Sequence, residues 1–483
     1  MAQPPSRPRL FLALLALSQL ITSVDYNIVY VALPAIGNDL GFAATDLQWV
    51  VSAYAVAFGG FLLFGGRASD VLGRRRLFVA GLTLYAVSSV AGALAGTAAV
   101  LVAARAVQGV GGALLYPATL ALVSTGFPAG RQRNQAFGVW AGAGGAGLIL
   151  GSLLGGVLTE TLGWQWVFLV NVPLAAIGLL GAATLIPPDP AIRVRRSFDL
   201  PGAVLGTAGV TLLVFSIVQG AEIGWTSPPI VLLATVTVAL LAGFVLVERR
   251  TRDPLLPPRM LSHRNLTVGL ALTTAFMATF GTSLYFLTVY FQEVREYGAL
   301  RTGLAFGLPV AVMFVGSLSG GWLLTRFGAR TVLTAALAVG ACGAALLAMT
   351  IGTQTSYPAL VPGLVLLGAG QGVIYPVMFA AAGAGVAGAD QGVASGMVST
   401  GQQVGSALGL AVLVAVANGG SGRLGAQAPV EATTDGVRTA ILVIALGVVA
   451  TLLLPAGLRR PAEISASTAS VRPPDDAQSA LKG

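Results

Sequence analysis

The chain is a succession of apolar runs, each long enough to cross a lipid bilayer. About twenty mostly apolar residues in a helix span the roughly 30 Å of hydrocarbon. Fourteen such runs can be read, at 10–34, 47–66, 77–96, 98–124, 135–159, 164–186, 200–220, 229–248, 265–291, 302–324, 330–350, 357–383, 391–418 and 437–457. Only 9% of the 483 residues are charged, against about 25% in a soluble domain. Too few charges remain to cover the surface of a soluble protein, so the sequence predicts an all-α polytopic membrane protein. The first run is too long for a signal-peptide core and is counted as a span.

The arginines give the expected sidedness. With the N-terminus placed inside, 22 of the 27 basic residues fall in inner segments, four (Arg295, Arg301, Arg423, Arg438) in outer loops, and Arg105 within a span. Positive residues accumulate on the cytoplasmic side, so both termini are expected in the cytoplasm of a cell membrane. The net charge of +9 therefore reads as topology and lipid contact, with no nucleic-acid partner. The single cysteine, Cys342, excludes disulfides within the chain, and the single histidine, His263, lies in a polar linker. No metal and no cofactor are expected.

Two segments recur at almost one spacing. LVAARAVQGVGGALLYP from Leu101 returns as LVPGLVLLGAGQGVIYP from Leu360, 259 residues later. Gly65, Gly66, Gly73 and Arg75 return as Gly320, Gly321, Gly328 and Arg330, 255 residues later. Spans 1–6 thus correspond to spans 9–14, and spans 7 and 8 are an insertion. The expected organisation is a six-helix bundle at 1–186, a linker with two additional spans at 187–264, a second bundle at 265–458 and a disordered cytoplasmic tail at 459–483. Parallel repeats of this kind point to a transporter with its site between the halves.

Ionisable groups inside the hydrocarbon are costly and mark function by default. Asp25 lies about 22 Å along the first span and Arg105 about 10 Å in from the opposite end of the fourth, at about 1.5 Å per residue. Their depths coincide. An Asp–Arg pair there is either a two-state element that protonation releases or a static lock between two helices. Glu160 and Glu222 read as solvated span ends, and Asp39, Asp46 and Glu293 as loop residues. Between spans 2 and 3, GGRASDVLGRRR (65–76) combines turn-forming glycines with Asp70, able to cap or pair at a neighbouring helix end, and an arginine run suited to anionic lipid. Span 5 carries Gly147, Gly151, Gly155 and Gly156, a small-residue stripe for close helix packing. A dinucleotide loop is excluded there, because no strand precedes it.

These segments together resemble the major facilitator superfamily, and within it the fourteen-span drug:proton antiporters that export drugs and antibiotics. SVDYNIVYVALPAI (Ser23–Ile36) resembles that group's first-span signature, with Asp25 at the acidic position. Gly66, Asp70, Gly73, Arg74 and Arg75 are in register with the superfamily's loop 2–3 motif. RAVQGVGG (Arg105–Gly112) is similar to the fourth-span motif, and GWQWVFLVNVPL (Gly163–Leu174) to the opening of the sixth span. Gly147, Gly151, Gly155 and Gly156 match the fifth-span antiporter motif, in which Ser152 stands where proline is usual. Asn27, Ala68 and Val71 also depart from the usual residues.

The resemblance implies a two-bundle, alternating-access exporter, without catalytic residues, whose partners are protons, a hydrophobic or cationic small molecule and the bilayer, acting as a monomer. Asp25 would carry the proton, with Arg105 and Gln108 tuning and relaying it; Asp70, Arg74 and Arg75 would gate. Aromatic residues of the spans, Tyr30, Trp140, Tyr285 and Phe286, are the candidate substrate contacts. A symporter importing a metabolite on the same fold is the alternative. An intramembrane enzyme would need embedded carboxylates, His or Cys in a cluster, and a sensor would need an attached soluble domain.

Overall fold

The structure, a computed structural model, describes residues 7–42, 47–189, 199–251, 254, 256–418 and 429–459. The expectations for Asp46, Arg193–Arg196, Arg423, the tail from 460 and the side chains of Ser152 and Glu222 lie outside the described residues.

Among the described residues fourteen long helices follow one another: α1 (Pro8–Leu40), α2 (Trp49–Leu72), α3 (Arg74–Ala93), α4 (Ala98–Gly126), α5 (Arg131–Thr161), α6 (Asn171–Leu185), α7 (Leu200–Ile223), α8 (Pro228–Glu248), α9 (Arg264–Val289), α10 (Ala299–Phe327), α11 (Ala329–Thr350), α12 (Tyr357–Ala382), α13 (Gln391–Asn418) and α14 (Val430–Thr451). Thirteen are long and apolar enough over their described residues to cross a membrane, the sixth counted from Trp166, and α7 adds a described apolar stretch at Pro201–Ile217. Helices satisfy every backbone group internally, which hydrocarbon demands. The side on which α2 ends and α13 begins is here termed proximal; the opposite side is distal.

Two details differ from the hydropathy reading. The first span extends to Leu40, so Asp39 sits in its last turn, where it accepts a hydrogen bond from Trp164 Nε1 at 2.8 Å. The sixth span begins with a separate turn, Trp166–Leu169, and α6 proper starts at Asn171. That break aims the Asn171 side chain into the bundle, where it is fully buried.

Helices α1–α6 and α9–α14 form two six-helix bundles, with α7 and α8 between them in sequence. Small residues set how closely the helices approach. A Cβ on Gly147 would stand 2.7 Å from Ser23 Cβ, and one on Gly151 2.6 Å from the Val24 carbonyl oxygen, so α5 lies almost backbone to backbone on α1. Gly155 makes the same approach to Ile28, whereas a Cβ on Gly156 would meet nothing within 4 Å. Three of the four stripe glycines thus build the α1–α5 seam.

The bundles meet through α2 with α13 and α5 with α10. These two seams are counterparts under the repeat, and equivalent glycines open both. A Cβ on Gly66 would lie 2.9 Å from Gly396 Cα, and one on Gly321 2.8 Å from the Gln135 backbone nitrogen.

Candidate functional site

Asp25 is completely buried and is the centre of a network joining five helices. Its Oδ2 accepts from Arg105 Nη1 at 2.7 Å. Its Oδ1 accepts from Gln108 Nε2 and from Asn171 Nδ2, both at 2.8 Å. Arg105 spends its other donors on the Gln108 side-chain oxygen (2.7 Å) and, through Nε, on the Val50 carbonyl (2.9 Å). Gln108 donates again to Ser89 Oγ at 2.9 Å. The guanidinium lies over the Tyr54 ring, 4.4 Å from its centroid. A charge-assisted network on this scale is what makes two opposite charges tolerable in hydrocarbon. Removing one partner strands the other at a cost of about 3–5 kcal/mol.

The Asp25–Arg105 contact is the one anticipated from matching depths, with Gln108 bridging both. Asn171, Ser89, Val50 and Tyr54 were not singled out in the sequence. Asn171 had a signal, since it is a polar residue interrupting the apolar Gly163–Leu174 segment. Its Oδ1 has no hydrogen-bond partner among the described residues. In this geometry the carboxylate holds three donors from two other helices.

The C-terminal bundle carries an uncharged counterpart. Gln371 Nε2, on α12, donates at 3.0 Å to Ser283 Oγ and to the Phe280 carbonyl on α9. The repeat partner of Arg105 is Leu364. Among the described residues, the embedded ion pair therefore belongs to the N-terminal half alone.

A second cluster holds the proximal ends of the halves together. Asp70, at the end of α2, accepts from the backbone N–H groups of Gly392 (3.0 Å) and Val393 (2.8 Å) in the first turn of α13. A carboxylate at a helix N-terminus satisfies otherwise open donors and meets the positive end of the dipole. Arg74 reaches Asp70 at 3.5 Å, Thr125 Oγ1 at 2.8 Å and the Gly388 carbonyl of the opposite half. Arg75 does not cross: it donates to the Ala183 carbonyl, and the N–H groups of Arg75 and Arg76 are capped by Asp189, at 3.1 and 3.0 Å. Gly73 turns the chain between α2 and α3 at φ +105°, a conformation suited to glycine. So Gly66, Asp70 and Arg74 lie at the junction, while Gly73 and Arg75 shape the N-terminal half.

The four aromatic candidates separate. Tyr30 on α1 and Tyr285 on α9 are 44% and 43% exposed. Trp140 and Phe286 are fully enclosed. Trp140 stacks on Tyr375 at 6.2 Å, meets Tyr116 and Phe379 edge-on at 5.5 Å each, and keeps a buried Nε1 with no partner among the described residues. It is a plug at the junction of the halves in this conformation. No group of three or more His, Cys, Asp or Glu residues able to hold a metal occurs among the described residues.

Two repeated six-helix bundles meeting along paired seams, with a buried Asp–Arg pair in the N-terminal one, define a membrane transporter of the two-bundle kind. The chain belongs to the Major Facilitator Superfamily, whose profile matches residues 15–410. It is 40% identical over 463 residues to the puromycin resistance protein pur8 of Streptomyces alboniger, covering 92% of this chain and 90% of that one. It is 38% identical to the cephamycin export protein CmcT of Amycolatopsis lactamdurans, covering 92% of each. It is 35% identical to the lincomycin resistance protein of Streptomyces lincolnensis, covering 84% and 83%. Among solved structures, the human organic anion transporter MFSD10 superposes with a TM-score of 0.66 at 19% identity, covering 94% of this chain and all of that one. The proton:xylose symporter XylE superposes equally well at 14% identity, covering 92% and 94%. These superpositions establish the fold.

Proposed function

We propose that this protein exports hydrophobic or cationic small molecules, antibiotics among them, across the cytoplasmic membrane in exchange for protons. The chemistry comes from the relatives, which are named for puromycin resistance, cephamycin export and lincomycin resistance. The observation that carries the coupling is the fully buried Asp25 carboxylate with three donors on two other helices.

Asp25 is the proton carrier. While charged, it holds Arg105 and Asn171 and so draws α4 and α6 onto α1. A proton on Asp25 removes the charge that Arg105 answers, and the helices repack around a neutral acid. Gln108 bonds to both partners and lets the guanidinium shift without losing every acceptor. Substrate is placed against the exposed Tyr30 and Tyr285 of α1 and α9, where aromatic faces suit apolar and cationic groups.

Alternating access follows from the proximal latch. With Asp70 capping α13 and Trp140 plugged against Tyr375, the halves are shut at the proximal end, which we read as cytoplasmic. Breaking the Asp70, Arg74 and Tyr116–Tyr375 contacts opens the proximal access. We take the monomer as the working unit, because the substrate and proton sites are complete within one chain.

The test is a resistance profile in an efflux-deficient host, with uptake measured in everted vesicles. The expected result is resistance to several apolar or cationic compounds, abolished by a protonophore. Accumulation of substrate by intact cells on expression would indicate import and overturn the reading.

A further inference from the structure

The inserted pair α7 and α8 makes the two seams unequal. At the α2–α13 seam, α7 lies over both helices. Val210 and Val214 of α7 form a buried cluster with Val56 of α2, against which Val404 of α13, Phe215 and Leu241 pack. A Cβ on Gly59 would lie 3.5 Å from Val214 and 3.4 Å from Gln403 Cβ, so one point on α2 touches α7 and α13 at once. Val214 is 3% exposed. Among the described residues, the equivalent α5–α10 seam has no such cover. There Phe314 and Leu318, which would lie 3.3 and 3.5 Å from a Cβ on Gly142, are 36% and 44% exposed.

The attachment of α7 to the two helices also differs in kind. Toward α2 it is interlocked: Gly60 admits Thr211 so closely that a methyl group there would overlap it, and Phe215 stacks on Trp49 at 5.5 Å. Toward α13 the partner in the cluster is the side chain of Val404, an apolar surface that can slide. Interdigitated backbones move as one body, whereas side chains packed across a smooth seam permit shear.

We propose that α7, carrying α8, is fixed to the N-terminal half and slides across α13 during transport, keeping the α2–α13 seam covered while the α5–α10 seam stays open to the membrane. This rests on the reading that the two halves move against each other, and the test separates the two.

Three cysteine pairs are introduced on a Cys342→Ser background, and substrate transport is measured before oxidation, after it and after reduction. Val56→Cys with Val214→Cys ties α7 to α2. Val404→Cys with Val214→Cys ties α7 to α13. Gly59→Cys with Gln403→Cys ties the halves directly, and the 3.4 Å approach fits the Cβ separation of a disulfide. The expected result is that the α2–α7 bond leaves transport within about twofold of the reduced protein. The α7–α13 and α2–α13 bonds should each reduce it at least tenfold, restored by reductant.

Transport surviving the α7–α13 bond, or lost with the α2–α7 bond, overturns the proposal. Transport surviving the α2–α13 bond overturns moving halves instead. If a reduced Val56/Val214 variant is inactive, Trp49→Cys with Phe215→Cys replaces it under the same criteria.

Discussion

Tyr116 and Tyr375 occupy the same place in the two repeats, 259 residues apart, and their hydroxyls meet at 3.1 Å across the junction of the halves. Gln402 completes the contact, accepting from Tyr116 and donating to Tyr375, both at 3.3 Å. Each tyrosine precedes a proline within its helix, Pro117 and Pro376. The repeat therefore supplies both sides of one hydrogen bond, and the bond reports whether the halves are together at this level.

Replacing either tyrosine by phenylalanine removes that bond, together with the same hydroxyl's bond to Gln402, and keeps the ring packing against Trp140. A single such bond is worth about 0.5–1.5 kcal/mol, which corresponds to a severalfold change in the ratio of closed to open proximal ends. The expected outcome for Tyr116→Phe is a severalfold rise in thiol labelling of a cysteine placed at Ala394, in the buried proximal junction. In a double-mutant cycle with Tyr375→Phe, the two effects should be strongly non-additive.

Asp70→Asn keeps the size of the cap but leaves one oxygen to serve two backbone N–H groups, and removes the charge facing the α13 dipole. The expected loss is about 1–3 kcal/mol of closure. Spin-label distances between the proximal ends of α2 and α13 should shift toward a wider population, with transport slowed. Arg75→Gln, which touches no residue of the other half, should leave that distribution unchanged.

The stripe on α5 separates a packing role from a positional one. Gly151→Ala drives a methyl group against the Val24 carbonyl and is expected to cost about 1–3 kcal/mol, seen as a lower unfolding temperature in detergent. Gly156→Ala meets open space and should be neutral or slightly stabilising, since alanine favours helix over glycine by about 1 kcal/mol.

Asn171→Ala removes one of three donors to the charged form of Asp25. The network then holds the charged carboxylate with one bond fewer, and proton-driven transport should fall severalfold. A transport rate equal to that of the unmodified protein would remove Asn171 from the coupling network.

Much of this was legible because hydrocarbon penalises charge. With so few charged residues, Asp25 and Arg105 stood out as embedded, and helical rise alone placed them level. Asn171 escaped because an amide costs less to bury than a charge and stands among other small interruptions of the apolar pattern. The capping role of Asp70 was legible but the helix it caps was not, since its partners are backbone N–H groups 322 and 323 residues away, which no side chain advertises. The repeat named Tyr116 and Tyr375 but carried no information that equivalent residues touch. The seat of α7 was hidden for a similar reason: hydropathy counts spans, and only side-chain fit decides which seam a span covers.

If the single carboxylate of Asp25 carries the transported proton, Asp25→Asn separates substrate binding from proton movement. The direct measurement uses this variant in liposomes with a pH-sensitive dye inside and ethidium as substrate. Ethidium should still bind within a fewfold of the unmodified affinity, while substrate-induced proton movement and gradient-driven accumulation both disappear. Gradient-driven ethidium transport with the same proton movement as the unmodified protein would remove Asp25 from that role.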